Sequence, residues 1–226
     1  METFVVRLWL PDRPGALGQV ASRIGAVRGE IVGIEILERG AGRAIDELAV
    51  DLPHASLVEL LVQEIQQVDG VDVEEVRPVA DALHDPRLDA LETAAVLVGA
   101  TDRNELVRAV VEHARRAVGA EWSVVVHLVD GTVLAQEGPV PATAWLVAFV
   151  AGSQSSARVV TGETGPDDVV WSPLPSMGYA LVVGREGTAY RARERRQVAA
   201  LARIVDTRLR EITRFAAFAR HPSVAR

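Results

Sequence analysis

The stretch LPDRPGALGQV, Leu10 to Val20, decides how the chain is read. Before it, Phe4, Val6, Leu8 and Leu10 alternate with Val5, Arg7 and Trp9, the period of a strand. After it, Leu17, Val20, Ile24 and Val27 recur at a spacing that puts them on one face of a helix. Asp12 to Gly15 is therefore a tight strand-to-helix turn. Pro14 presets φ for the helix start, and Gly15 has no Cβ to block a group approaching the backbone. A helix start also presents unpaired N–H groups and positive dipole character, which suit a carboxylate or phosphate. Many such turns use Gly and Pro for geometry alone, so the stretch marks a fold element before it marks a site.

Outward from the turn, the first helix is expected to end near Gly29, and Ile31 to Leu37 reads as a β-branched strand. Gly40 and Gly42 in RGAGR make a hairpin turn, since no helix follows that would turn this GxG into a nucleotide loop. Ala44 to Leu52 returns as a strand that Pro53 ends. Leu57, Leu60, Leu61, Ile65 and Val68 are expected on one face of a second helix, stopped by Asp69-Gly70, and Val71 to Val76 is the last strand. The order βαββαβ packs two helices on one face of an antiparallel sheet.

The segment from Phe4 to about Pro78 resembles an ACT domain, a regulatory module of many amino-acid-metabolism enzymes. The residues that carry the resemblance are VRLWLPDRPGALGQVASRI, the GEIVGIEI strand and the closing DGVDVEEV. It implies that modules pair through their sheets or helices and bind small effectors, often amino acids, at that interface. It also implies that Gly15 lets a ligand approach the turn, and that Asp12 and the start of the second strand line the pocket. The ligand-binding candidates are Asp12, Arg13, Gly15, Ala16, Leu17, Glu30 and Ile31. One departure stands out: Glu30 occupies a position where amino-acid-binding members often carry Asn. A carboxylate there accepts from an ammonium group and repels a ligand carboxylate.

Val76 to Arg87 is a Pro-containing polar stretch that reads as a linker. Beyond it come a short amphipathic helix (Leu88 to Val98) and a helix capped by Thr101-Asp102 with Glu105 near the capping-box position. Leu106, Val107, Val110, Val111, Ala114 and Val118 form the apolar stripe of that second helix. Trp122, Val124, Val126 and Leu128 alternate as a strand, Asp130-Gly131 turns, and Thr132 to Gln136 returns. A helix is expected over Thr143 to Val150, then strands near Arg158 to Val160, Val169 to Trp171 and Tyr179 to Val183, and a long helix from about Tyr190 to Phe215.

This layout resembles a GAF domain, a small-molecule-sensing module, best in WSPLPSMGYALVVGREG and the following YRARERRQVAALARIVDTRL. The resemblance implies a pocket between the sheet and the Ala142 to Val150 helix. The expected fold class is α+β: a ferredoxin-like βαββαβ ACT module over residues 1–78, a linker over 79–87, a GAF-like antiparallel sheet flanked by helices over 88–218, and a disordered tail over 219–226.

Composition narrows the chemistry. The chain of 226 residues has no Cys, which removes thiolate metal sites, cysteine nucleophiles and thioether-linked chromophores. All 24 basic residues are Arg, so a Walker A loop and a Schiff-base lysine are excluded. His54, His84, His113, His127 and His221 form no HxH, HxxxH or HExxH pair, so no metal is expected. His127 reads as a packed core histidine and GSQSS, Gly152 to Ser156, as a loop rather than a nucleophile elbow. No catalytic residue and no cofactor is expected. Met1 is followed at once by Glu2 and a strand, and the apolar runs are short. The expectation is a soluble, cytoplasmic protein with no membrane partner.

The last helix has a separate character. From Arg185 onward there are eleven Arg and four acids, against a net charge of −7 for the chain, so the remainder carries −14. Val198, Leu201, Val205, Leu209 and Ile212 recur at spacings of three and four, close to a coiled-coil seam. They pack on the protein's own sheet or on a twin helix, and Leu201, Val205, Leu209 and Ile212 are the candidate oligomerisation residues. No recognition motif or stacking aromatics accompany the arginines, which argues against nucleic acid. The functional expectation is a regulatory homodimer that binds a small effector. Its rival is a ligand-free dimerisation scaffold or adaptor for a partner protein.

Overall fold

The alternation that begins at Phe4 becomes strand β1 (Glu2–Pro11) in a computed structural model that describes residues 1–79, 86–154 and 167–220. Phe4, Val6, Leu8 and Leu10 are buried, and beyond the turn Ala16, Val20 and Ile24 bury one face of helix α1 (Ala16–Ala26) against them. Strands β2 (Glu30–Gly40) and β3 (Arg43–Leu52) form a hairpin. Its two turn residues are Ala41 and Gly42, at φ 51° and 76°, rather than the two glycines of RGAGR. A short 3-10 turn (Ala55–Leu57) leads into α2 (Val58–Gln66), and β4 (Asp72–Val79) closes the unit. The sheet is antiparallel in the order β2-β3-β1-β4, with both helices' apolar faces in one core, the ferredoxin-like arrangement. Pro78 is tolerated because β4 is an edge strand.

One expectation changes here, and one buried ion pair stands on the sheet's other face. Leu60 is 42% exposed, and Val58 packs on the core in its place, because Leu60 and Leu61 lie about 100° apart on a helix and only one can face inward. Arg7, on the sheet face away from Leu8, is buried with Glu47, its Nε and Nη2 donating to Glu47 Oε1 at 2.9 and 2.7 Å.

The chain divides into two units, Met1–His84 and Asp85–Arg226. The second contains α3 (Pro86–Gly99), α4 (Arg103–Ala117), β5 (Trp122–His127), β6 (Val133–Glu137), α5 (Thr143–Ser153), β7 (Val169–Leu174), β8 (Tyr179–Gly184) and α6 (Ala192–Arg220). Its antiparallel sheet has the order β6-β5-β8-β7. Val125, Leu181 and Val183 pack against α4 and α6, and Val124, Val126, Trp171 and Val182 against α5. With both sheet faces covered, β5 is apolar on both sides rather than alternating. Gly152 and Ser153 belong to the end of α5, not to a loop. Helix α6 is longer than expected, and α3 buries Thr93 and Leu97 while Leu88 and Leu91 face out. The strand near Arg158 to Val160, most of the linker and the end of the tail fall outside the described residues. Among the described residues, no helix is long and apolar enough to cross a membrane.

Helix α4 starts on Asp102, whose Oδ1 accepts from the Asn104 and Glu105 amides at 2.8 and 2.9 Å. Glu105 reaches back to the Thr101 amide at 2.7 Å, which holds its carboxyl below the usual range. The strongest tie is Arg185, buried just after β8. Its guanidinium meets Glu194 at 2.8 Å, donates to the carbonyls of Val118, Thr188 and Ala189, and lies over the Tyr190 ring. Burial raises the Tyr190 phenol well above its ordinary range.

Replacing Arg185 by Met takes the guanidinium away from buried Glu194, which keeps the Arg191 amide as a donor at 2.7 Å. Denaturant titration should show a loss of about 3–5 kcal/mol, largely recovered in the R185M/E194L double variant. Ala41 occupies a left-handed position that Asn adopts more readily, so Ala41→Asn should stabilise the first unit by about 0.5–1 kcal/mol in the same assay.

Candidate functional site

The turn between β1 and α1 is held at both ends. The Asp12 amide donates to the Gly42 carbonyl at 2.9 Å, tying the turn to the hairpin, and the Ala16 amide donates to the Arg13 carbonyl at 3.3 Å. Gly15 is the N-cap residue at φ 89°, ψ −14°, a left-handed backbone that disfavours any residue with a Cβ. No atom lies within 4 Å of where that Cβ would be, so the glycine is required by conformation and the space in front of it is open. No side chain caps α1, and its first turn carries no acid. The N–H groups there retain the positive end of the helix dipole.

Around the turn, Asp12 and Arg13 are exposed, and Asp12 Oδ1 lies 4.0 Å from Arg39 Nε. Ala16 is buried and Leu17 packs half-buried on the core, so these two offer backbone rather than side chain. Glu30 and Ile31 lie elsewhere. Glu30 is opposite Asp51, which is opposite Thr3, so the start of β2 sits nine strand positions from Asp12. That is about 30 Å along the sheet. The expected site residues therefore form two groups at opposite ends of one sheet, and a single copy does not bring them together.

Strand β2 is also a sheet edge, and Val32, Ile34 and Ile36 on it are 48%, 49% and 42% exposed. The other expected surface is not available in this way. Leu201, Val205 and Leu209 are buried in the core of their own unit and Ile212 packs against it, so their three-four spacing serves the helix-on-sheet contact and not an intermolecular seam.

One residue of this end of the sheet was not singled out from the sequence. Asp46 is in phase with Leu48, Val50 and Leu52 along β3, opposite Leu8 on β1 and Ile36 on β2. It is 4% exposed, and its Oδ1 has no hydrogen-bond partner among the described residues. Burial raises its carboxyl above the ordinary range, with Arg39 opposing and Asp12 adding to the rise. The signal was an acid in phase with the core-facing residues of a strand.

In the second unit, His127 is half-buried rather than in the core. Its Nδ1 meets Asp130 Oδ1 at 2.7 Å and its ring leans on Tyr179. Asp130 is held down to about 2, first by hydrogen bonding from Thr132 and then by His127. A groove of about 370 Å³ between α4 and β6 has Arg108, Glu112, Gln136 and Glu137 among its lining residues. Among the described residues, no group of three His, Asp or Glu is placed to hold a metal ion.

No protein-family model and no curated protein matches the chain. Solved structures similar to it include the ACT domain of the GTP pyrophosphokinase of Chlorobium tepidum, at 18% identity over 35% of this chain and 100% of that one, with a TM-score of 0.29. The free methionine-R-sulfoxide reductase of Neisseria meningitidis is 16% identical over 61% and 95%, with a TM-score of 0.42. The phytochrome photosensory core module of Stigmatella aurantiaca is 12% identical over 96% and 60%, with a TM-score of 0.40.

Gly15→Val forces a β-branched residue into a left-handed backbone and should cost the first unit about 1–2 kcal/mol in a denaturant titration. Gly15→Asn, which tolerates that region, should lose clearly less.

Proposed function

We propose that this protein is a non-catalytic regulatory protein whose first 78 residues form an ACT-type module. That module binds a small effector at an interface between two copies of the chain. The observation that carries the reading is the separation of the two groups of site residues on a sheet whose β2 edge is open. If two β2 strands pair antiparallel, the Glu30 end of one copy meets the hairpin end of the other. Asp12 is bonded to that hairpin at Gly42, so the turn and Glu30 then face one another across the interface. An unpaired strand with exposed Val32, Ile34 and Ile36 favours such an addition.

In this arrangement an anionic group of the effector sits on the N–H groups at the start of α1, with the helix dipole behind it. Glu30 of the second copy takes a cationic part of the ligand or fixes its orientation. The effector biases the pairing geometry by its difference in affinity for the two states. Residues 88–218, joined through a linker over 79–87, act as a GAF-like module that carries the signal onward.

A second reading, a ligand-free scaffold for a partner protein, is favoured by α3. Leu88, Leu91 and Val98 are 52%, 70% and 56% exposed at spacings that align them on one face.

Thermal stability against a panel of amino acids, nucleotides and short organic acids separates the two. An effector at 100 times its Kd should add about 2.7 kcal/mol, several degrees in Tm. The V32K/I34K variant should be monomeric by light scattering and lose that shift. A silent panel contradicts effector binding and leaves the scaffold.

A further inference from the structure

We propose that the groove between α4 and the edge strand β6 takes an extended peptide segment of a partner protein. The segment adds to the sheet antiparallel to β6 and carries a basic residue followed two positions later by an acidic one. The surface belongs to the second unit, and its occupancy does not require an effector in the first.

Strand β6 is outermost in the sheet order β6-β5-β8-β7. Among the described residues its backbone pairs with β5 alone, so N–H and C=O groups on its far side have no partner. Its sequence, VLAQE, has neither the basic residue nor the proline that commonly blunts an edge. A bulge changes what the strand presents. Val125 pairs with Ala135 and Val126 with Val133, which leaves Leu134 as the additional residue. Leu134 and Ala135 therefore both pack with the α4 side of the sheet, and Val133 packs with the α5 side. Val111, Leu134 and Ala135 give the groove apolar lining, and the straight length from Ala135 to Glu137 runs beside it as a template for a further strand.

The charged lining says what the segment must carry. Arg108 and Glu137 are exposed, and neither has a hydrogen bond or ion pair among the described residues. Glu112 lies 3.4 Å from Arg116, but both are 58% exposed, so that pair is weak. The Ser123 hydroxyl donates to the Val111 carbonyl at 2.6 Å, and Ser123 pairs with Glu137, so Glu112 and Glu137 share one end of the groove. From there α4 continues to Ala117 and the chain turns back into β5. Arg108 is thus one turn away in the direction of Leu134, about 5.4 Å along the helix. Alternate residues of a strand share a face about 6.7 Å apart, a close match. A segment antiparallel to β6, like every other pair in this sheet, enters at the acidic end. Its basic side chain meets Glu112 and Glu137, and its acidic one meets Arg108. A second copy of β6 brings an acid and no base, so it does not fit these charges.

The test is fluorescence anisotropy on the full chain with labelled seven-residue probes: SVRVEVS, the reversed charge order SVEVRVS, and the uncharged SVQVQVS. SVRVEVS should bind saturably, and the other two about threefold to tenfold more weakly. In Arg108→Glu, SVRVEVS should weaken by a similar factor, while SVRVRVS should bind better than it does to wild type. Methylating alternate backbone nitrogens of SVRVEVS in each of the two possible patterns tests the main-chain pairing. One pattern should abolish binding and the other spare it, because only one set of N–H groups faces β6. Failure of SVRVEVS to bind, equal binding of all three probes, or methylation patterns that behave alike would each overturn the proposal. So would a dimer, seen by light scattering, that SVRVEVS dissociates, since the edge would then belong to a second copy.

Discussion

A strand advances about 3.3 Å per residue, and that pitch governs the first unit. It sets Asp12 and Gly15 at one end of the sheet and Glu30 and Ile31 at the other. No side chain spans the gap, so a pocket built from both groups must take them from two chains. The sheet order makes this feasible by leaving β2 at an edge, with its polar backbone groups and a row of apolar side chains open. The left-handed backbone at Gly15 then sets the direction in which α1 leaves the turn, and therefore where its amides point.

The second unit is organised by a different constraint. Its sheet is covered on both faces, which consumes the apolar stripes of α4, α5 and α6 within one copy. Arg185 closes the structure by taking up the Val118, Thr188 and Ala189 carbonyls together with the Glu194 carboxylate. A buried arginine with this many acceptors is fully answered, whereas Asp46 in the first unit is not.

Much of the fold was legible because it depends on period and turn chemistry. Phe4 to Leu10 alternates, Val20 and Ile24 repeat at helical spacing, and Asp-Arg-Pro-Gly marks the break between them. What was not legible depends on which neighbour covers a face. The repeat of Leu201, Val205 and Leu209 is the same whether the helix meets its own sheet or a twin, and only the three-dimensional packing decides. Leu60 and Leu61 are equivalent in composition, and the helix rotation buries one. For the candidate site, the turn was visible through its Gly and Pro. The distance between Asp12 and Glu30 was not, because it follows from strand register, and Asp46 was not, because an acid in phase with Leu48, Val50 and Leu52 reads the same whether that face is covered or open.

The most direct measurement is complementation between two site variants. Asp12→Ala and Glu30→Ala are prepared separately, then mixed and allowed to exchange subunits, and binding of whichever compound shifts the wild type is measured by calorimetry. A site shared between copies predicts that each variant alone binds poorly and that the mixture regains binding, since each mixed dimer contains one intact site. A mixture that stays as weak as its components, or a monomeric V32K/I34K protein that binds like wild type, would contradict a site completed by the second copy.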